Sequence, residues 1–169
     1  LRPGIVIGKG TSPFHFGVGK FAANGTEVEL WGEGKNPLPL VLVEDVAKAI
    51  ILAATTPNIE KETFLLTSPP LLSALEYEEE LERTIHTKIE IIPTSPVKYY
   101  ANDLLKWIVK LAINHPNRKK PSYRDWKSRT QSALFDSGKA EKILGWKPAK
   151  DKKDLIYKGI VIPVQEWLK

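Results

Sequence analysis

The 169-residue sequence contains no cysteine. This excludes a disulfide framework and a metal site built on thiolates, and it is compatible with a reducing compartment. No apolar run approaches the roughly 20 residues that a membrane-spanning helix needs, and the first ten residues lack the flanks of a signal peptide. We therefore expect a cytoplasmic protein without a membrane partner.

Two kinds of ligand motif are also missing. No glycine-rich turn of the form G-x-G-x-x-G or G-x-x-G-x-x-G opens a strand-to-helix unit, so the sequence has no cradle for the pyrophosphate of a dinucleotide. The histidines His15, His86 and His115 do not have the spacing of metal ligands. We expect no metal site.

The chain carries a modest positive charge, with a net charge of +5. The excess is local, because the stretch 117–129 holds six lysines and arginines against a single acid, Asp125. A basic patch of this size serves a phosphate-bearing ligand or a nucleic acid, or it is simply a solvated loop.

Short apolar strands alternate with helical patterns along the chain. Ile5–Ile7 is continuously apolar, as in parallel strands covered on both faces, and Ser73 followed by Glu76 predicts a capping box. One helix is predicted to bury a face made of Val46, Ala49, Ile50 and Ala53. The predicted strands are 1–7, 26–31, 40–43, 63–66 and 88–92, and the predicted helices are 44–54, 73–85, 97–113, 137–144 and 151–167.

This alternation predicts an α/β fold. Only one or two of the predicted strands are apolar enough to be buried on both faces, and the first of them stands at the start of the sequence. We therefore expect a sheet that is incomplete within these residues, and a chain that forms the back half of an enzyme.

Four segments occur in a fixed order and carry a family resemblance. They are 1–8 (LRPGIVIG), 32–47 (GEGKNPLPLVLVEDVA), 62–67 (ETFLLT) and 135–148 (FDSGKAEKILGWKP). Together they resemble the C-terminal half of the extended short-chain dehydrogenases/reductases, the NAD-dependent epimerase/dehydratase family. In that family a Rossmann domain is interleaved with a smaller substrate domain.

The resemblance implies the C-terminal portion of a Rossmann-type fold with the small α/β substrate-binding domain, and the absence of the N-terminal dinucleotide-binding half. It assigns about 1–12 and 40–68 to the last Rossmann strands and helices. It assigns about 13–39 and 69–169 to the substrate-binding subdomain. Asp45 would cap a helix, and Trp146 would stack over the helix that precedes it.

The first segment is the expected cofactor side. A glycine that follows a proline at the C-terminal end of a parallel strand lets a flat ring approach the backbone, at the edge where α/β proteins bind ligands. Pro3, Gly4, Ile5 and Val6 are the candidate contacts with the nicotinamide. The alternative is that Gly4 merely permits close helix packing.

The family's catalytic tyrosine–lysine pair is not expected here. The pattern Tyr-x-x-x-Lys occurs at Tyr123 and Lys127, but it follows the Arg-Pro-Gly segment, whereas the family's pair precedes it. We therefore predict no catalytic residue in this chain. NAD or NADP is implied for the complete protein, with none bound by this chain alone.

The substrate is less well defined. Many nucleotide-sugar enzymes of the family grip the diphosphate with an arginine where this chain has Leu38-Pro39-Leu40. A non-nucleotide substrate, such as a sterol-like or flavonoid-like hydroxy-carbonyl compound, therefore stays open. Arginine suits bidentate phosphate contacts, and the candidate substrate contacts are His15, Lys35, Asn36, Arg124 and Arg129.

Three functions remain under consideration. The first is the substrate-binding half of an NAD(P)-dependent sugar-nucleotide epimerase/dehydratase-like oxidoreductase, inactive alone and completed by the missing N-terminal half. The second is a non-catalytic binding or sensor module of the same fold. The third and most remote is a nucleic-acid binder that uses Tyr123 and Trp126 among the basic residues.

The first predicted strand has an unpaired edge within these residues. We therefore expect self-association into a homo-oligomer.

Overall fold

The computed structural model describes residues 1–22 and 25–169. Its strands are β1 (Arg2–Pro3), β2 (Ile5–Ile7), β3 (Gly19–Phe21), β4 (Glu27–Trp31), β5 (Leu40–Leu42), β6 (Leu65–Leu66) and β7 (Glu90–Thr94). Its helices are α1 (Val43–Thr55), α2 (Ala74–Ile85), α3 (Pro96–Ala112), α4 (Tyr123–Ser128), α5 (Gly138–Leu144), α6 (Lys152–Ile156), a π-helical turn (Tyr157–Val161) and α7 (Ile162–Trp167). The α/β class is confirmed.

The strand predicted over 1–7 divides at Gly4. On its first half β1 pairs in parallel with β6, and on its second half β2 pairs in parallel with β5. The Gly4 amide donates to the Leu66 carbonyl (3.0 Å), while the next amide, that of Ile5, donates to the Pro39 carbonyl (2.7 Å). A third sheet joins β3, β4 and β7, with β4 in the centre.

Two clusters of buried side chains surround these strands. The larger packs β2, β4 and β5 against α2 and the C-terminal helices. The smaller lies between β5, β6, α1 and α5 and contains Trp146, Phe64 and Leu66. A Cβ on Gly159, in the π-helical turn, would lie 2.3 Å from Ile7 Cδ1. The glycine therefore allows this turn to lie directly on β2.

The predicted buried face of α1 is partly wrong. Ala49 is buried, but Ile50 is exposed. Asp45 is buried and does not cap the helix, whose first turn receives no side-chain cap. Its Oδ2 accepts from the Ala149 amide (2.8 Å), and its carbonyl oxygen accepts from Trp146 Nε1 (2.7 Å). Asp45 thus ties α1 to the C-terminal segment.

Other local predictions have mixed outcomes. The capping box of α2 is confirmed, because Ser73 Oγ accepts from the Glu76 amide and Glu76 Oε2 accepts from the Ser73 amide. The strand predicted over 88–92 ends too early, because β7 continues to Thr94 with Pro93 in register with Leu30. A proline is tolerated there because β7 is an edge strand. The sequence pattern did not predict β3 or α4.

Within residues 1–22 and 25–169, none of the helices combines the length and the hydropathy that a membrane span requires.

Candidate functional site

A cavity of about 230 Å³ lies at the amino ends of the paired strands β2 and β5, where Ile5 begins β2 and Leu38 and Pro39 precede β5. Most of its walls are apolar, and Asn36, Gln131 and Arg129 contribute polar groups. The lining residues are Ile5, Gly17, Val18, Trp31, Gly34, Asn36, Pro37, Leu38, Pro39, Ala74, Ser128, Arg129, Gln131, Ala133 and Phe135.

The turn after β4 holds Arg129 at this cavity through the next residue, Thr130. Asn36 Nδ2 donates to the Thr130 carbonyl (2.8 Å). Gly32 adopts a φ of +71°, and a Cβ there would lie 3.1 Å from Thr130 Cβ. This close approach and the left-handed backbone both favour glycine. The turn therefore positions a residue almost a hundred positions later in the chain.

The Arg129 guanidinium lies over three aromatic rings. Its Cζ is 5.4 Å from the centroid of Phe16, 5.3 Å from that of Trp31 and 5.2 Å from that of Trp126. Cation–π contacts of this length orient an arginine while leaving its N–H donors available. No ion pair to Arg129 occurs within the described part of the chain. Its charge is therefore available to an anion.

The aromatic rings are themselves fixed by hydrogen bonds. Trp31 Nε1 donates to the Phe16 carbonyl (3.1 Å), and Trp126 Nε1 donates to Asp103 Oδ2 (3.0 Å). Tyr99 stacks on Trp126 with centroids 4.7 Å apart and an interplanar angle of 13°. Arg129 therefore rests on a preformed surface.

A second cavity of about 260 Å³ adjoins the first and shares Pro37, Leu38, Pro39, Ala133 and Phe135 with it. Thr67 and Ser68, which follow β6, also line it. Ser137 Oγ accepts from the Thr67 amide (3.0 Å) and donates to the Thr67 carbonyl (3.0 Å). These buried bonds fix the carboxyl end of β6 against the start of α5.

The four candidate cofactor residues have different surroundings. Pro3 is exposed, Ile5 lines the first cavity, and Val6 packs against the smaller core cluster. At Gly4 a Cβ would lie 2.1 Å from the Pro39 oxygen and 2.9 Å from Thr67 Cγ2. The chain itself fills the space beside this glycine, so strand packing accounts for it without a ligand.

The five candidate substrate residues do not all meet. Asn36 and Arg129 line the same cavity. Lys35 is exposed and pairs with Glu33 Oε2 (3.0 Å), and Arg124 is exposed outside the cavity. His15 Nδ1 accepts from the amide of Gly17, a lining residue (3.0 Å). Burial lowers the pKa of His15, so its ring is neutral near pH 7.

Sequence reasoning missed Trp31 and Thr130, which position Arg129, and considered Trp126 only as a stacking residue for nucleic acid. The available signal was the presence of tryptophans next to a basic segment. No sequence spacing indicates that these rings share one guanidinium. Among the described residues, no group of three or more histidine, aspartate or glutamate side chains could hold a metal ion.

Comparison with known proteins gives no match to a family model or to a curated protein sequence. The fold, however, matches solved structures. The structure of gox2253 aligns with a TM-score of 0.65 and 18% identity, over 97% of this chain and 48% of that chain. MoeE5 in complex with UDP-glucuronic acid and NAD aligns with a TM-score of 0.63 and 15% identity, over 98% and 46%.

UDP-glucuronic acid 4-epimerase from Bacillus cereus, in complex with UDP-glucuronic acid and NAD, aligns with a TM-score of 0.60 and 13% identity, over 98% of this chain and 44% of that chain. The chain therefore spans slightly less than half the length of these proteins and has the fold of their C-terminal portion. The resemblance to the C-terminal half of NAD-dependent epimerases is confirmed at the level of the fold.

Proposed function

We propose that this chain is the substrate-binding portion of an NAD(P)-dependent sugar-nucleotide epimerase/dehydratase-like oxidoreductase. The observation that carries the proposal is the Arg129 guanidinium, which has no carboxylate partner among the described residues and lines a largely apolar cavity beside the start of β2. The fold is that of proteins solved with UDP-sugars and NAD, which supports a ligand of this class.

A nucleotide sugar matches the chemistry of this site. Its diphosphate carries the negative charge that Arg129 is free to contact through two N–H donors. Its rings suit the apolar walls formed by residues such as Trp31 and Phe135. Arg129 would thus take the part of the arginine that the family places where this chain has Leu38-Pro39-Leu40.

The contribution of this chain to a nicotinamide site would be limited. Ile5 and the exposed Pro3 could form one wall of it. The sequence supplies no glycine-rich turn for the pyrophosphate. We therefore assign this chain the binding and orientation of the substrate and no step of hydride transfer, for which the cofactor supplies the chemistry when it is bound to the complete enzyme.

The proposal is tested by titrating the chain with UDP-glucose, UDP-glucuronic acid and UDP in a calorimeter. We expect binding that Arg129→Gln weakens about tenfold or more, since a charge-assisted hydrogen bond contributes about 1.5–3 kcal/mol. Arg124→Gln is the matched control, because Arg124 belongs to the same basic segment but lies outside the cavity. The control should bind like the unchanged protein.

Equal losses in the two variants would indicate non-specific attraction to the basic segment and would refute the assignment. NAD should bind weakly or not at all in the same experiment.

The sensor alternative uses the same ligand site and differs from the enzyme only in having no turnover. It is favoured if a protein containing this chain together with a dinucleotide-binding half binds both UDP-sugar and NAD and yet neither epimerises the sugar nor reduces NAD.

A further inference from the structure

Helix α3 exposes an apolar face to solvent. None of its residues is buried. Its packed side carries Tyr99, Asp103 and Trp107, which contact α4 and the following loop. At about 100° per residue the opposite side presents an apolar row, which Lys98 and Asn102 interrupt between Val97 and Leu105. Its large members are each between 51% and 66% exposed, and they are Val97, Leu105, Ile108, Val109 and Ile113.

The charge around this face is mostly positive, although Asp103 and Asp125 border it. Residues 104–124 contain six lysines and arginines and no aspartate or glutamate. These six exceed the net charge of +5 of the entire chain. Lys98 is the one charged residue on the outward face of α3, and the single acid of the helix, Asp103, turns inward to accept from Trp126.

The loop after α3 folds back and gathers cations on the packed side of α3, away from the apolar row. Trp107 Nε1 donates to the Arg118 carbonyl (3.1 Å). The result is a cleft of about 340 Å³ whose charged lining residues are Asp103, Lys106, Lys110, Lys119, Lys120, Asp125 and Arg129. Lys106 lies 3.8 Å from Asp103, and no other lysine of this cleft has an ion pair in the described ranges.

We propose that α3 and the basic loop 114–121 attach the protein to the surface of a membrane that contains anionic lipids. The helix would lie in the plane of the interface, with the apolar row among the acyl chains and the lysines at the phosphate headgroups. Such a helix lies on the membrane rather than across it, in keeping with the absence of a spanning helix in the described ranges. The proposal replaces the expectation of no membrane partner.

Charge complementarity favours lipid over the other occupants. A second copy of the chain, docked face to face, would bring two sets of lysines together. A nucleic acid would engage the cations and leave the apolar row in water. A nucleic acid would also need aromatic rings on which its bases could stack. Trp126, the cleft residue whose ring lies next to Arg129, already stacks on Tyr99. An anionic lipid surface accepts the apolar row among its acyl chains, while the long lysine side chains on the other side of the helix reach its headgroups.

Flotation with vesicles tests the proposal. The chain should float with vesicles of phosphatidylcholine and phosphatidylglycerol at low salt and should stay in solution with phosphatidylcholine alone. Leu105→Asn with Val109→Asn should lower the partition coefficient about tenfold or more. The matched control is Ile50→Asn with Ile51→Asn, two equally exposed apolar residues on α1, which should leave binding unchanged.

A second pair of variants addresses the charge without altering the helix. Lys119→Gln with Lys120→Gln should weaken binding about tenfold, and added salt should weaken it further. Lys142→Gln with Lys153→Gln, exposed lysines elsewhere, should have no effect. Failure to float with anionic vesicles would overturn the proposal. So would equal losses in the α1 control, or a dimer in ultracentrifugation that the Leu105 and Val109 substitutions abolish.

Discussion

The inner and outer regions of this molecule are held together by different forces. The inner region, which packs β1, β2, β4, β5 and β6 against α1, α2 and the C-terminal helices, contains both clusters of buried apolar side chains. The outer segment, Pro96–Arg129, contains α3 and α4, and neither helix buries a residue. Because α3 and α4 bury no side chain of their own, the surfaces of both helices remain accessible to a ligand or a partner.

Aromatic stacking and single hydrogen bonds hold the outer segment in place. Tyr99 stacks on Trp126, Tyr100 meets Tyr123 edge to face at 5.7 Å, and Trp107 reaches the Arg118 carbonyl. Each aromatic pair contributes about 0.5–1.5 kcal/mol beyond the area it buries. The inner region should therefore determine the free energy of unfolding of the chain. The outer segment should instead determine the positions of Arg129 and the basic cleft.

Two tryptophans, one in each region, should differ in their contribution to stability. Trp146→Ala should lower the free energy of unfolding by about 3–5 kcal/mol, because it empties the smaller cluster and removes the hydrogen bond to Asp45. Trp126→Ala should lower it by only about 1 kcal/mol. Urea unfolding followed by circular dichroism measures both.

The two variants should also differ in binding. Trp126→Ala should weaken UDP-sugar binding, because it removes one of the rings beneath Arg129. Equal losses of stability in the two tryptophan variants would mean that the outer segment is part of the cooperative core after all.

How far the sequence predicts the structure follows the same division. The capping box of α2 lies within four residues, so Ser73 and Glu76 could be identified from their spacing alone. The role of Asp45 could not, because its partners Trp146 and Ala149 are a hundred positions away. Ile50 has the spacing of a core residue and yet is exposed, since periodicity fixes a face only to within a neighbouring position.

The candidate site is the least predictable part. Arg129 was identified by its residue type. Its surroundings depend on Gly32, Asn36 and Trp31, which belong to a turn and strand far from it in the sequence. Contacts of this kind leave no local pattern, and the rings that carry the guanidinium could be assigned only from the folded chain.

Within the inner region, two glutamates on α2 have pKa values shifted in opposite directions. Burial, with Glu82 and Glu79 nearby, raises the pKa of Glu78 from 4.5 to about 7, and Glu78 Oε1 has no hydrogen-bond partner among the described residues. The folded state therefore holds a proton that the unfolded state releases. Stability should fall by about 2 kcal/mol as the pH rises from 4.5 to 7.

Glu78→Gln should flatten this fall, which thermal unfolding across the pH range would reveal. Glu76 is the internal control with the opposite sign. The hydrogen bond from Lys152, followed by that from the Ser73 amide, lowers the pKa of Glu76 to about 2, so its stabilisation is lost as the pH falls from 4.5 towards 2. A Glu78→Gln variant that keeps the slope above pH 4.5 would assign the effect to another group.

The smallest effect concerns the two serine caps, one in each region. Ser73→Ala removes the acceptor for the Glu76 amide at the start of α2 and should lower the free energy of unfolding by about 1 kcal/mol. Ser95→Ala removes the acceptor for the Val97 amide at the start of α3. Because α3 buries no residue, this substitution should leave global unfolding nearly unchanged and speed amide hydrogen exchange in α3 alone. Equal shifts in urea midpoint for the two variants would show that α3 unfolds together with the inner region.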